Sequence, residues 1–194
     1  MYIPQHNAFF IHIPKTGGNS IEFYFLQQMN IDVNLKNSMR IFNDHPELII
    51  GRQNAKKQKA HYTAQELQNI KEFTNSKYKF SIVRHPFKRF ISECKWSNTN
   101  VDTLCKQLRA GDNDRYHSSW DYLTVNNQLA VDSVFKLEEP HAINTELSKQ
   151  FNIDFVMPHH NVSAYKNINL TTQQKDIIAD VWQKDFEEFN YEID

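Results

Sequence analysis

The stretch AFFIHIPKTGGNSIEFYF, residues 8–25, decides the fold. Ala8 to Ile13 is an apolar run stopped by Pro14 and followed by two glycines, which is the pattern of a short buried strand. From Asn19 to Met29, the residues Ile21, Phe23, Tyr24, Phe25 and Leu26 supply the apolar face of a helix. The first unit is therefore strand, glycine loop, helix. Between its two elements lies Lys15-Thr16-Gly17-Gly18-Asn19-Ser20, which has the make-up of an anion cradle. Its glycines let the backbone come close to a ligand and turn N–H groups inward. The helix N-terminus adds partial positive charge. Lys15 adds a full charge, and Thr16, Asn19 and Ser20 add short polar side chains.

The order of these residues separates the loop from that of the nucleoside triphosphatases. Their pattern, G-x-x-x-x-G-K-[ST], places glycines before the lysine. Here Pro14 precedes Lys15 and the glycines follow it. No strand ends in an aspartate suited to holding Mg²⁺ for a triphosphate.

Tyr78 to Val83 reads as a second core strand. Arg84-His85-Pro86 ends it, because the residue before a proline is pushed out of helical geometry. Phe87 to Trp96 then reads as a helix. Arg84 offers a planar fork of donors suited to a phosphate, and Ser92 can add a hydroxyl. Two anion sites at two strand ends suit a nucleoside with phosphates at both ends. Further strands are expected at Leu48–Ile50, Ser133–Leu137 and Asp154–Val156. Helix starts are expected at the capping boxes Thr63–Glu66 and Thr171–Gln174, the latter opening one helix through Ile177, Ile178, Val181, Trp182 and Phe186. Strands alternating with helices predict a single α/β domain over residues 1–194. Its central parallel β-sheet is flanked by helices, its nucleotide-binding core is P-loop-like, and its chemistry lies at the carboxyl ends of the strands.

Composition narrows the function classes. With 40% hydrophobic and 13% aromatic residues, the 194-residue chain has material for a packed core. A net charge of -1 argues against a general nucleic-acid binder. No signal peptide is apparent, and no run reaches the roughly 18 apolar residues that span a bilayer. The expectation is a cytoplasmic protein with no membrane partner. Cys94 and Cys105 form no CxxC pair and are expected to be buried thiols in a reducing compartment.

Together the segments FFIHIPKTGGNSI (Phe9–Ile21) and FSIVRHPFKRFISE (Phe80–Glu93) resemble the sulfotransferases that use 3′-phosphoadenosine 5′-phosphosulfate (PAPS). The branch they resemble contains the carbohydrate and heparan sulfate sulfotransferases. Weaker matches follow in order: AHYTAQEL (Ala60–Leu67), VFKLEE (Val134–Glu139), MPHHNVS (Met157–Ser163) and DFEEFNY (Asp185–Tyr191). The resemblance implies that Lys15, Thr16, Gly17, Gly18, Asn19 and Ser20 bind the 5′-phosphosulfate, with Lys15 stabilising the leaving group. It implies that Arg84 and Ser92 hold the 3′-phosphate. It also implies a loop over the nucleotide carrying Ser163, Tyr165 and Lys166. Asn19 departs from the family, which more often has Thr or another small residue there. The chain is also short for the family, which leaves the acceptor-binding elements undefined.

His61 is the candidate base. It stands two residues before the capping Thr63, where the positive helix end disfavours imidazolium. The resemblance points to a histidine in the same segment. His12 can line the site from the first strand, and His117 can meet the acceptor. His85 is expected to be turned aside by its proline. His159 and His160 have no ligand partners at zinc-like spacing, so no metal is expected. Lys56, Lys57 and Lys59 form either a solvated loop or an attractor for anions. Trp96, Tyr116, Trp120 and Tyr122 could stack on a sugar, but most of them are expected to be core. The function expected is an O-sulfotransferase acting on an acceptor hydroxyl, favoured to be on a carbohydrate, with PAPS as co-substrate and PAP as product. The alternatives are an ATP-dependent small-molecule kinase and an inactive PAP-binding module.

Overall fold

In a computed structural model, residues 1–33, 41, 44–49, 61–111, 113–158 and 168–193 are described. The sheet has four strands in the order β1-β2-β3-β6: β1 (Tyr2–Ile3), β2 (Ala8–Ile11), β3 (Tyr78–Val83) and β6 (Ser133–Lys136). β2, β3 and β6 are parallel, with Phe10 opposite Phe80 and Ile82 opposite Phe135. β1 is antiparallel to β2 and adds an edge that the sequence pattern did not signal. A two-residue strand has no readable period. A separate hairpin joins β4 (Thr124–Val125) to β5 (Gln128–Leu129).

Parallel neighbours need long crossovers, and these supply the helices. α1 (Gly18–Gln28), α2 (Ala64–Leu67) and α3 (Lys71–Thr74) lie between β2 and β3. α4 (Pro86–Ser97), α5 (Val101–Ala110) and α6 (Ser119–Leu123) follow β3. α7 (Pro140–Phe151), α8 (Thr172–Val181) and α9 (Gln183–Glu188) follow β6. Side chains alternate across the sheet, so each face packs a different set. Ala8, Phe10, Phe80 and Ile82 pack with Ile21 and Phe25 of α1 and Ile143 and Leu147 of α7. Phe9, Ile11 and Val83 pack with Leu67, Phe73, Trp120 and Phe189. A third cluster joins α4, α5, α8 and α9 through Phe90, Leu104, Ile178 and Phe186. The result is an α/β sheet covered on both faces.

Both sequence capping boxes close. Glu66 N–H donates to Thr63 Oγ1 at 3.3 Å and Thr63 N–H to Glu66 Oε2 at 2.9 Å, with the same reciprocal pair at Thr171 and Gln174. Three expectations are corrected. Pro46–Leu48 is a 3₁₀ turn and Ile49 takes a left-handed φ of 49°, so no strand forms at 48–49; Ile50 lies outside the described residues. Asp154–Val156 joins no strand. Its Phe155 N–H donates instead to Ser148 Oγ at 2.9 Å, which ties it to the end of α7. The C-terminal helix is two, because Trp182 leaves helical geometry with ψ at 31°. Cys94 and Cys105 are both buried and free. Among the described residues, no helix is long and apolar enough to cross a membrane.

Candidate functional site

Since β2, β3 and β6 run in parallel, their carboxyl ends open on one edge of the sheet. There Arg84 Nη1 donates to the Lys15 carbonyl at 3.3 Å. Leu137 N–H donates to the Val83 carbonyl at 2.8 Å, and His85 N–H donates to Glu138 Oε1 at 3.1 Å. The two motifs far apart in sequence are therefore in direct contact through Arg84 and Lys15.

The loop from β2 to α1 holds a conformation suited to an anion. Lys15 and Gly17 both take left-handed φ, 68° and 83°. Successive amides with such reversals form a concave nest. Ser20 N–H is spent on the Gly17 carbonyl at 3.0 Å. Gly18 and Asn19 open α1, where helical geometry leaves the first N–H groups without partners. The Thr16 hydroxyl, fully buried, donates to the Ile13 carbonyl at 3.0 Å, so in this state it braces the loop and offers a ligand only its backbone.

Both glycines are needed for close approach. A Cβ on Gly17 would lie 2.8 Å from Leu137 Cδ1 and 3.3 Å from Met157 Cε, and one on Gly18 would overlap the His12 ring. Gly18→Ala is therefore expected to displace His12 and to cost about 1–3 kcal/mol of stability, read as a lower denaturant midpoint. An unchanged midpoint would show that the ring moves aside freely.

His12 is pinned where it packs on Gly18. Its Nδ1 lies 3.0 Å from Glu22 Oε2, and both side chains are largely buried. Burial by itself would raise the Glu22 carboxyl, but His12, through its charge and hydrogen bond, holds it below the usual carboxylate range. His61 stands against His12 with ring centroids 4.6 Å apart at 89°. Its Nδ1 donates to the His12 carbonyl at 2.9 Å, since a carbonyl can only accept. That bond leaves Nε2 with the lone pair when the ring is neutral. Burial, followed by the charges of His12, Arg115 and Arg89, holds His61 well below the usual histidine range. The site thus contains a neutral imidazole with an assigned tautomer.

Lys15 extends toward α4. Its Nζ lies 5.5 Å from the Trp96 ring centroid, and burial lowers its pKa to about 8, opposed by Glu93 and assisted by Arg115 and Arg84. Ser92 is half-buried on α4, one turn before Trp96. His117 is exposed, 3.5 Å from Asp114 Oδ1, and its carbonyl accepts from Arg89. His85 caps α4, its Nδ1 accepting Phe87 N–H at 3.3 Å. Trp120 and Tyr122 are core as expected, while Trp96 is 62% exposed. Ser163, Tyr165, Lys166, His159, His160, Lys56, Lys57 and Lys59 lie outside the described residues. Among the described residues, no group of three His, Cys, Asp or Glu side chains could hold a metal ion.

Sequence reasoning missed the residues that support this site. Arg89, 1% exposed, donates from Nε to the Pro14 carbonyl at 3.2 Å and lies 3.6 Å from Asp185. Arg115 and Glu93 form a two-point ion pair beside Lys15, with hydrogen bonds of 3.0 and 2.8 Å. Glu22 had a sequence signal, as the lone carboxylate in the apolar helix IEFYF. Asp185 opens the DFEEFNY segment. Arg115 had none.

The family model described as the sulfotransferase family matches residues 1–96, the half that carries the loop, His61, Arg84 and Ser92. No curated protein and no solved structure gives a match.

Proposed function

From its membership of the sulfotransferase family through residues 1–96, we propose that this chain transfers a sulfuryl group from PAPS to an acceptor hydroxyl, on a carbohydrate by preference. We take residues 1–194 as one sulfotransferase-like unit, which the sheet drawing strands from both halves supports. One observation carries the reading. Arg84, the candidate for the 3′-phosphate, is hydrogen-bonded at 3.3 Å to the carbonyl of Lys15, the candidate for the 5′-phosphosulfate. Two anion-binding groups side by side at adjacent strand ends fit a ligand with phosphates on both sides of one ribose.

On this reading the amides of residues 15–19 and the Lys15 ammonium hold the 5′-phosphosulfate. Arg84 and Ser92 hold the 3′-phosphate, with Ser163, Tyr165 and Lys166 assigned to the loop over the nucleotide. His12 shapes the floor through Gly18, and the exposed His117 is assigned to the acceptor. His61 Nε2 takes the acceptor proton as the acceptor oxygen bonds to sulfur. The bond from sulfur to the bridging oxygen breaks, and Lys15 stabilises the charge gathering on the departing phosphate. The residues must also align donor and acceptor, which lowers the barrier without further chemistry.

Calorimetry with PAP tests the site. The wild type is expected to bind PAP and to ignore ATP–Mg²⁺. Lys15→Ala and Arg84→Ala should each weaken PAP by about ten- to a hundredfold, the worth of a charge-assisted hydrogen bond. Unchanged affinity in both variants, or preference for ATP–Mg²⁺, would refute the reading. Transfer from labelled PAPS to an acceptor panel separates an enzyme from an inactive binding module. Affinity should also depend on pH in one direction. A bound anion favours the charged lysine, so binding takes up a proton once Lys15 has lost it. Affinity is expected to fall as pH rises through about 8.

A further inference from the structure

Lys15 does not run alone to Trp96. The Arg115 guanidinium lies over the same indole, 4.1 Å from its centroid. Glu93, buried on α4, accepts Arg115 Nε and Nη2 at 3.0 and 2.8 Å. Lys15, Glu93 and Arg115 line one cavity with Arg89, Tyr116 and Trp182. Arg89 has its own counter-charge in Asp185. Lys15 and Arg115 are left sharing the single carboxylate of Glu93 within that lining. A concave site with surplus positive charge and aromatic walls concentrates anions.

Direction then distinguishes this cation from Arg84. Arg84 bonds the Lys15 backbone and is influenced by Glu138 and Tyr191 beyond the ends of β3 and β6. The Lys15 side chain leaves the loop toward α4 and Arg115. Arg84 and Ser92, given to the 3′-phosphate, lie before and midway along α4, whereas Lys15 and Arg115 meet a turn farther on at Trp96. For a ligand whose phosphate rests on the loop amides, the group facing Arg115 is then the one beyond that phosphate on the Lys15 side. In a phosphosulfate that group is the sulfonate.

We propose that Arg115 is a further binding residue for the sulfonate of the donor, its planar fork held in register by Glu93 and Trp96. This rests on the PAPS reading above. Arg115 contacts sulfonate oxygens while the bond from sulfur to the phosphate oxygen breaks and the bond to the acceptor oxygen forms. It exchanges no proton, because guanidinium stays charged. Glu93 competes with the sulfonate for the same donors and so moderates donor affinity.

PAPS and PAP differ only in the sulfonate, so paired calorimetry isolates the contact. Arg115→Ala is expected to weaken PAPS about tenfold or more and leave PAP within about twofold. Glu93→Gln removes the competing charge and should tighten PAPS relative to PAP. Arg115→Lys should recover part of the PAPS affinity, as a point charge without the fork. Equal losses for both nucleotides in Arg115→Ala, or no loss for either, overturn the assignment. Should Arg115→Ala fail to fold, an unchanged PAPS-to-PAP ratio in Glu93→Gln overturns it instead. A wild type that binds neither nucleotide overturns the sulfotransfer reading and this assignment together. Binding of both, with a ratio the variants do not move, overturns this assignment alone.

Discussion

His61→Ala is expected to lower turnover by about 10²–10⁴-fold, the range for a lost general base, while PAP affinity stays within about twofold. The expectation follows from what His61 does and does not touch. Its Nδ1–H is committed to the His12 carbonyl at 2.9 Å, so Nε2 is the nitrogen whose lone pair can take a proton. Its place beside the loop, against His12, gives it no hydrogen bond to the loop amides proposed to hold the nucleotide. Full turnover in the variant would remove His61 as the base.

The same geometry fixes the pH profile. A base works when neutral, so activity is lost as pH falls through the pKa of His61. Burial and the neighbouring charges hold that pKa well below the usual histidine range, so the acid limb should lie lower than for a free histidine. The alkaline limb of kcat/KM reports the free enzyme and should fall at about 8, where Lys15 loses its proton. The alkaline limb of kcat should lie higher, because the bound anion stabilises the charged lysine. An acid limb at or above the ordinary histidine pKa would contradict the buried setting of His61.

Where the chain signals structure locally, the signal was readable. Tyr78–Val83 is a strand to the residue, because its pattern is followed by the Arg84-His85-Pro86 stop. Thr63 and Thr171 cap helices through bonds made within four residues. The glycine loop was legible because its conformation depends on Gly17 and on a steric fit at Gly18. What was hidden depends on distant partners. Tyr2–Ile3 becomes a strand only because β2 offers it an edge. Val156 looked like part of a strand but is 61% exposed, with no strand beside it among the described residues. At the site, two motifs each at a strand end were readable, but the hydrogen bond from Arg84 to the Lys15 carbonyl was not. The Glu93–Arg115 pair and the Arg89–Asp185 pair join segments that no local pattern relates.

Arg89→Ala is expected to cost about 3–5 kcal/mol of folding stability, the penalty for breaking a buried ion pair by removing one partner. That is a large share of the roughly 5–15 kcal/mol that hold a domain together. Arg89 donates to the carbonyls of Pro14, Arg115 and His117 and to Ser119 Oγ, and its guanidinium lies 4.5 Å from the Trp182 ring centroid. Its loss would strand Asp185, which is fully buried and would keep the N–H groups of Ser119 and Trp120, each at 2.8 Å, and the Ser119 side chain, with no cation beside it among the described residues. Asp185→Asn keeps the shape and one acceptor, so its cost should be smaller. The double variant should cost less than the sum of the two single changes, because the second removes a charge already left alone. Denaturant midpoints of the four proteins measure this coupling. Additive losses would mean that the two residues act separately. A loss below about 1 kcal/mol for Arg89→Ala would mean that water replaces the guanidinium. Since Arg89 also fixes the carbonyl just before Lys15 and the backbone of Arg115, any folded Arg89→Ala protein should bind PAP more weakly than the wild type. The ion pair would then couple the stability of α4, α6 and α9 to the shape of the anion loop.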